Sequence, residues 1–334
     1  MTNDISDQGS DTALVRPRAL RPGDTVAVIA PASQLKSGLE ETLHRGLAWL
    51  ESQGWKHRLM PHSAASHATL PHLAGEDEAR LADLHAAFAD SEIQAVWCIR
   101  GGYGTPRLMG SIDYDLIAAN PKVFIGFSDI TAIHVALNQR LGLVTFHGPM
   151  IASNLGTEKW QRSEWAIASL RRAITLTNEP PGPLSQGDQT MMGRSLVEGV
   201  AEGTTIGGNL SLICGMLGTP VGLDDSPGRI LLIEDVGETP YRADRALTQL
   251  RLAHKLSAVA GIAVGQFTEL TAEEQTSMEE VFRDRLGDLG IPVVTGLPFG
   301  HEDPAGCIPL GAPARLEARS DGTGDLIITE PAVV

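Results

Sequence analysis

Four short stretches combine reactive side chains with glycine-rich turns. The first is VFIGFSDITAIHVAL (123–137), where an apolar run that reads as a buried strand stops at Gly126 and a helical pattern begins just past Ser128-Asp129. A serine at such a corner stands at the positive end of the helix dipole, beside backbone N–H groups that lack intrahelical partners. Those groups could stabilise an oxyanion next to an attacking hydroxyl, or the hydroxyl could serve as a helix cap. Ile130 stands where GxSxG has its second glycine, so the local residues alone favour a cap or loop role for Ser128.

The second stretch is CIRGGYGTPRL, in which a strand runs into Gly101-Gly102-Tyr103-Gly104. Such a turn can cradle a phosphate, supply an oxyanion hole or only reverse the chain. It is neither GxGxxG nor GxxxxGK[ST], which weighs against nucleotide binding. The third is RILLIEDVGETPYRADRAL, where Glu234 and Asp235 end an apolar strand and Glu238 follows before a helix. Acids there complement a helix dipole, and a carboxylate at the end of a buried strand is also placed to orient an imidazole. The fourth is GLPFGHEDPAGCIPLG. Of ten histidines, His301 is the one isolated in a Gly/Pro-rich loop, where functional side chains concentrate, whereas His134 and His147 read as packing or surface residues.

These stretches need a scaffold. The first half alternates apolar runs at 24–30, 94–100, 122–127 and 143–146 with helical spacing over about 37–54, 77–89 and 129–141, the pattern of parallel strands joined by crossover helices. Ser33 and Asp129 are candidate N-terminal caps for the first and third helices. A doubly wound α/β sheet follows, with ligands expected outside the carboxyl ends of its strands. After a helical stretch at about 163–174, the segment TLTNEPPGPLSQGDQT breaks the pattern and reads as an interdomain connection. Beyond it come strands at 229–235 and 258–265, helices at 240–254 and 272–286, and short strand-like pieces in PVVTG, CIPLG, ARLEAR and DLIIT. The expected division is a disordered tail over 1–18, a first domain over 19–176, a linker over 177–195 and a second domain over 196–334.

Composition narrows the function. With 41 acidic against 26 basic residues and a formal net charge of −15, the chain repels phosphate backbones and anionic membranes, so neither nucleic acid nor membrane is expected as a partner. Cys98, Cys214 and Cys307 form no CxxC pair, which fits a reducing compartment. No apolar run reaches the roughly 18 residues of a membrane span, and the polar start lacks a signal-peptide core, so a cytoplasmic location is expected.

Taken together and in order, GGYG, GFSD, GGNLS (207–211), LLIEDVGETPYRADRAL and PFGH followed by PLG resemble the LD-carboxypeptidase family of serine peptidases, which includes microcin-C immunity peptidases. The resemblance runs from about residue 23 to about 320. It implies a Rossmann-like parallel-sheet domain and a smaller β-rich swivelling-type domain. It also implies a triad of Ser128, Glu234 and His301, with the backbone N–H groups of Gly102 and Asp129 as oxyanion hole. Asp129 then takes the capping role in place of Ser128. Asn209 and Glu238 become candidate substrate contacts, with a turn asparagine and a solvated acid as the plainer readings.

The implied activity is release of terminal D-Ala from a cytoplasmic muropeptide tetrapeptide, after L-Lys or meso-diaminopimelate, by a homodimer that uses no metal and no cofactor. Two other readings stay open. One is cleavage of aminoacyl-nucleotide conjugates, for which Trp160 and Trp165 could stack a nucleobase; the acidic EDVGETPYR segment weighs against it. The other is a non-catalytic small-molecule binding module. A glutaminase-like site on Cys98 is weaker, since that residue sits inside an apolar strand.

Overall fold

The computed structural model describes residues 13–334 apart from 177 and 226. Its first half runs β1 (Thr25–Ile29), α1 (Glu40–Ser52), β2 (Lys56–Leu59), α2 (Asp77–Ala89), β3 (Ile93–Cys98), α3 (Tyr114–Ala119), β4 (Val123–Gly126), α4 (Thr131–Leu141) and β5 (Thr145–His147). β1, β3 and β4 are apolar and almost wholly buried because helices cover both faces of a parallel sheet. The sheet order is β12-β5-β4-β3-β1-β2. From β1 the chain steps outward to β2, then returns to the other side at β3. That reversal opens a crevice at the carboxyl ends of β1 and β3. Residues 131–138 of α4 are all buried, as befits a helix enclosed by sheet and second domain, and Gly142 ends it in the left-handed conformation.

The chain continues through α5 (Glu158–Gln161), α6 (Glu164–Ile174), β6 (Gly182–Pro183), β7 (Gly193–Val197), β8 (Gly199–Asn209), α7 (Leu210–Gly215), β9 (Ile230–Val236), α8 (Pro240–Leu252), β10 (Gly261–Thr268), α9 (Ala272–Leu286), β11 (Val293–Thr295), β12 (Ile308–Leu310), β13 (Pro313–Ala318) and β14 (Thr323–Ile328). The second sheet has the order β13-β8-β9-β10-β11-β7-β14-β6, and β13 also pairs with β14, which closes a barrel. Closure leaves few open strand edges. The two domains are therefore a parallel α/β sheet and a β-rich barrel flanked by helices.

Several sequence expectations change here. Of the tail expected over 1–18, residues 1–12 lie outside the described residues, whereas Val15 pairs with Leu143 and Arg16 donates to the carbonyl of Pro331, so 14–17 are packed. Residues 193–195 of the expected linker already belong to β7 in the barrel. The strand within CIPLG does not stay with its sequence neighbours: β12 runs antiparallel to β5 and completes the first sheet. β10 begins three residues later than its apolar run, because Ala258–Ala260 form the approach to the strand. Ser33 is no helix cap, since α1 starts at Glu40 with no side-chain cap. Its hydroxyl instead accepts from the N–H of Tyr103 at 3.0 Å.

The domains are tied closely. The Asn209 N–H donates to Thr131 Oγ1 at 2.9 Å, and Thr205 Oγ1 donates to the carbonyl of Pro309 at 2.6 Å. One apolar cluster runs from Trp49, Trp97 and Trp160 through Cys307 and Ile308 to Leu232 and Leu316 of the barrel. Trp160 is fully buried and meets Trp49 edge-on, centroids 5.2 Å apart. Its place in this core removes it as a base-stacking surface. Trp160→Ala should lower the free energy of unfolding by about 3–5 kcal/mol, measured by chemical denaturation.

Candidate active site

Ser128 occupies the turn between β4 and α4 with φ of +64°, a left-handed conformation that costs a non-glycine residue about 1–3 kcal/mol. The preceding Phe127 is extended, and Ser128–Ile130 form one 3-10 turn that leads into α4. This is a strained strand–turn–helix corner of the kind that exposes a nucleophile. The missing second glycine has a steric explanation. Ile130 is buried with its side chain over Gly126, where an added Cβ would lie 2.9 Å from Ile130 Cγ1. The small residue before the serine makes room for the large one after it.

The GGYG turn abuts this corner. A Cβ on Gly101 would stand 2.8 Å from Ser128 Cβ, 3.1 Å from its Oγ and 3.3 Å from the Asp129 nitrogen. The backbone at Gly101 therefore packs against both the hydroxyl and the Asp129 nitrogen, with no room for a side chain between them. Asp129 does not cap the helix: neither the 3-10 turn nor α4 has a side-chain cap. Its buried carboxylate accepts from the Thr105 N–H at 2.8 Å, while the Thr105 hydroxyl donates to the Asp129 carbonyl. The residue fastens the glycine turn to the serine corner. Cys98, one strand end away, is fully buried, and burial pushes its thiol well above the usual range.

The barrel supplies the other half. Successive residues of a strand face opposite sides, so Glu234 and Asp235 part company at the end of β9. Asp235 turns to the start of α7, accepting from Asn209 Nδ2 at 2.8 Å and from Ser211 Oγ at 2.7 Å. Asn209 is buried, and its Oδ1 accepts from the Leu212 N–H, so both ends of its amide are engaged inside the protein. Glu238 is half-buried, 4.0 Å from Arg242. Glu234 turns to the first domain, fully buried, and its Oε2 accepts from His301 Nδ1 at 2.6 Å. An ionised carboxylate only accepts, so Nδ1 carries the proton and Nε2 is the basic nitrogen. Gly300 permits this approach: it has φ of +116°, and a Cβ there would lie 2.8 Å from Glu234 Oε2.

Phe127 joins the halves, its ring meeting the His301 imidazole edge-on with centroids 4.9 Å apart. Burial alone would push the Glu234 carboxyl up, but the charge of the facing His301, the nearby His147 and the His301 hydrogen bond together outweigh it and hold the group at about 2. Burial likewise works to lower His301, yet the Glu234 carboxylate wins and raises the imidazole above 6.5.

Two histidines expected from the sequence to be packing or surface residues are both buried and shape this site. His147, at the end of β5, is buried with Nε2 3.7 Å from Glu234 Oε1, and neither atom has a hydrogen-bond partner. Its signal was a polar residue ending the apolar run LVTFH. His134 is held neutral, pushed down to about 3 by burial; its Nε2 donates to the Gly126 carbonyl at 2.9 Å and its Nδ1 accepts from Thr145 Oγ1. It anchors the strand end that carries the serine.

The His301 pair can be checked directly. By NMR titration His301 should titrate above 6.5; Glu234→Gln removes the largest charge that opposes burial and should lower it.

Similarity to known proteins extends over both domains. Residues 26–148 match the LD-carboxypeptidase N-terminal domain and 202–316 the LD-carboxypeptidase C-terminal domain. The murein tetrapeptide carboxypeptidase of Pseudomonas aeruginosa is 37% identical over 302 residues, 87% of this chain and 92% of that protein. The crystal structure of the muramoyltetrapeptide carboxypeptidase from Oxalobacter formigenes superposes with a TM-score of 0.74 at 29% identity, over 92% of this chain and 99% of that one. An MccF-like protein from Bacillus anthracis gives 0.81 at 26% identity, over 94% and 99%. The chain belongs to the LD-carboxypeptidase family of serine-type peptidases.

Proposed function

We propose that Ser128, Glu234 and His301 are the catalytic triad of a carboxypeptidase that releases terminal D-Ala from muropeptide tetrapeptides. The bond cut joins L-Lys or meso-diaminopimelate to D-Ala, and the role is recycling of cell-wall peptides in the cytoplasm. The observation that carries the reading is the 2.6 Å bond from His301 to a fully buried Glu234, packed through Phe127 against the strained Ser128 corner. The names of the Pseudomonas and Oxalobacter relatives support the substrate class.

His301 Nε2 takes the proton of Ser128 Oγ as the oxygen attacks the carbonyl of the L-centre. Glu234 holds the tautomer and stabilises the imidazolium. The N–H groups of Gly102 and Asp129 receive the oxyanion, each worth about 3 kcal/mol. His301 then protonates the departing amine of D-Ala, and water, activated by the same imidazole, releases the tripeptide acid.

Glu238 is the proposed partner for the ammonium group of the L-Lys or diaminopimelate side chain. Asn209 acts in this reading chiefly by fixing the strand end beside Glu234, and a direct substrate contact would exchange one of its internal bonds. The resemblance adds a homodimer. No helix among the described residues is long and apolar enough to cross a membrane.

The MccF-like neighbours keep aminoacyl-nucleotide cleavage as the second reading. Burial of Trp160 in the core and the acid at 238 favour the muropeptide. Incubation with a tetrapeptide, a pentapeptide and an aminoacyl-adenylate analogue, read by mass, should give D-Ala release from the tetrapeptide. Ser128→Ala should fold and bind yet lose about 10³-fold or more in kcat. Undiminished release would overturn the assignment, and saturable binding without turnover by the intact chain would favour a binding module.

The pH profile follows from the same pair. Neutral His301 is the active base, so kcat/KM should fall as pH drops through the raised value of His301, above 6.5, while Glu234 at about 2 stays ionised across the range.

A further inference from the structure

An enzyme that removes one terminal residue must hold a free carboxylate, yet Glu234, Asp235 and Glu269 all act on His301 as negative charges. An anionic group entering this crevice needs a cation. Several basic side chains of the two domains are already matched: Arg107 with Asp77, Lys159 with Glu302 and Arg194 with Glu279. Arg100 is different. It sits two residues past β3 and directly precedes the Gly101–Gly102 peptide that abuts Ser128. Its guanidinium folds back along the turn, with Nη2 3.6 Å from the point a Cβ on Gly102 would occupy. Nη1 donates to the carbonyl of Gln34 at 2.9 Å, and among the described residues no carboxylate pairs with the side chain. Arg100 is half-buried, and burial lowers its pKa with no acid to oppose the shift.

Keeping a half-buried cation without a counter-charge is costly, whereas a planar fork with unused donors suits a carboxylate that arrives with the substrate. We infer that the Arg100 guanidinium is the receptor for the terminal carboxylate of the substrate. The carboxylate lies on the Ser33–Gln34 side of the glycine turn while the scissile carbonyl faces Ser128 on the other. One turn then measures a single residue between the cation and the nucleophile, which makes the enzyme an exopeptidase. A longer chain would set a neutral peptide group against the guanidinium. This inference rests on the carboxypeptidase reading above.

The test compares the tetrapeptide ending in free D-Ala with the same peptide ending in D-alaninamide, in wild type, Arg100→Met and Arg100→Lys. Wild type should favour the acid by about 100-fold in kcat/KM, chiefly through KM. Arg100→Met should bring that ratio close to one while the amide changes by less than about threefold. Arg100→Lys, which keeps the charge and loses the fork, should fall between. A ratio that survives in Arg100→Met overturns the inference, and so does an equal loss on acid and amide. If thermal unfolding shows that Arg100→Met does not fold, the Arg100→Lys ratio decides: an undiminished preference overturns the assignment and a reduced one supports it. Failure of wild type to cleave either peptide would overturn the activity itself, a result distinct from an unchanged ratio.

Discussion

A fully buried carboxylate at the seam of two domains sets the terms for everything around it. Glu234 has no exposed surface, and an isolated ionised carboxylate in such a place would cost several kcal/mol. The His301 hydrogen bond makes it tolerable, and the pair in turn sets the tautomer and basicity of the imidazole. Much of the local architecture serves that contact. Gly300 lets the loop backbone come close to the carboxylate, and the Gln266–Gly300 bridge fixes the loop to the barrel. Phe127 sets its ring against His301, and Phe299 sets its ring against His147, which faces the second carboxylate oxygen.

The constraint extends across the seam. In the proposed triad the serine comes from the parallel-sheet domain and the glutamate and histidine from the barrel domain, so its geometry is only as well defined as the packing between them. β12 is the main brace: it leaves the barrel's stretch of sequence to pair with β5, whose last residue is His147. Thr131, at the start of α4, holds the backbone of Asn209 at the end of β8. The backbone strain at Ser128 is offset by burial on every side, since Ile130, Phe127 and Asp129 are all anchored. A corner that exposes one hydroxyl is built from neighbours that are not exposed.

Much of this was legible in the sequence where local rules suffice. α2 and α9 coincide with their helical patterns because amphipathic spacing is a local property, to which α9 adds a capping box of Thr271 and Glu274. The parallel sheet followed from alternating apolar runs, and the candidate triad from the family resemblance that the ordered motifs carry. What escaped depends on contacts distant in sequence. Nothing in CIPLG says that its strand belongs to the other sheet, and nothing in FSDI says that Asp129 bonds Thr105 in place of capping. Alternation along β9 could have separated Glu234 from Asp235, but which face meets the first domain is decided by barrel packing. His147 looked like any polar residue at a strand end until the second domain brought Glu234 against it.

The central claim is that Ser128 is acylated by the substrate. Rapid acid quench of the wild-type enzyme with a muropeptide tetrapeptide, followed by mass analysis of the digested protein, tests it directly. The expected result is a mass gain equal to the tripeptide acyl group on the fragment that contains Ser128, with D-Ala released in the same step. An adduct confined to another residue, Cys98 included, would contradict it, as would turnover through a burst phase with no acylated fragment.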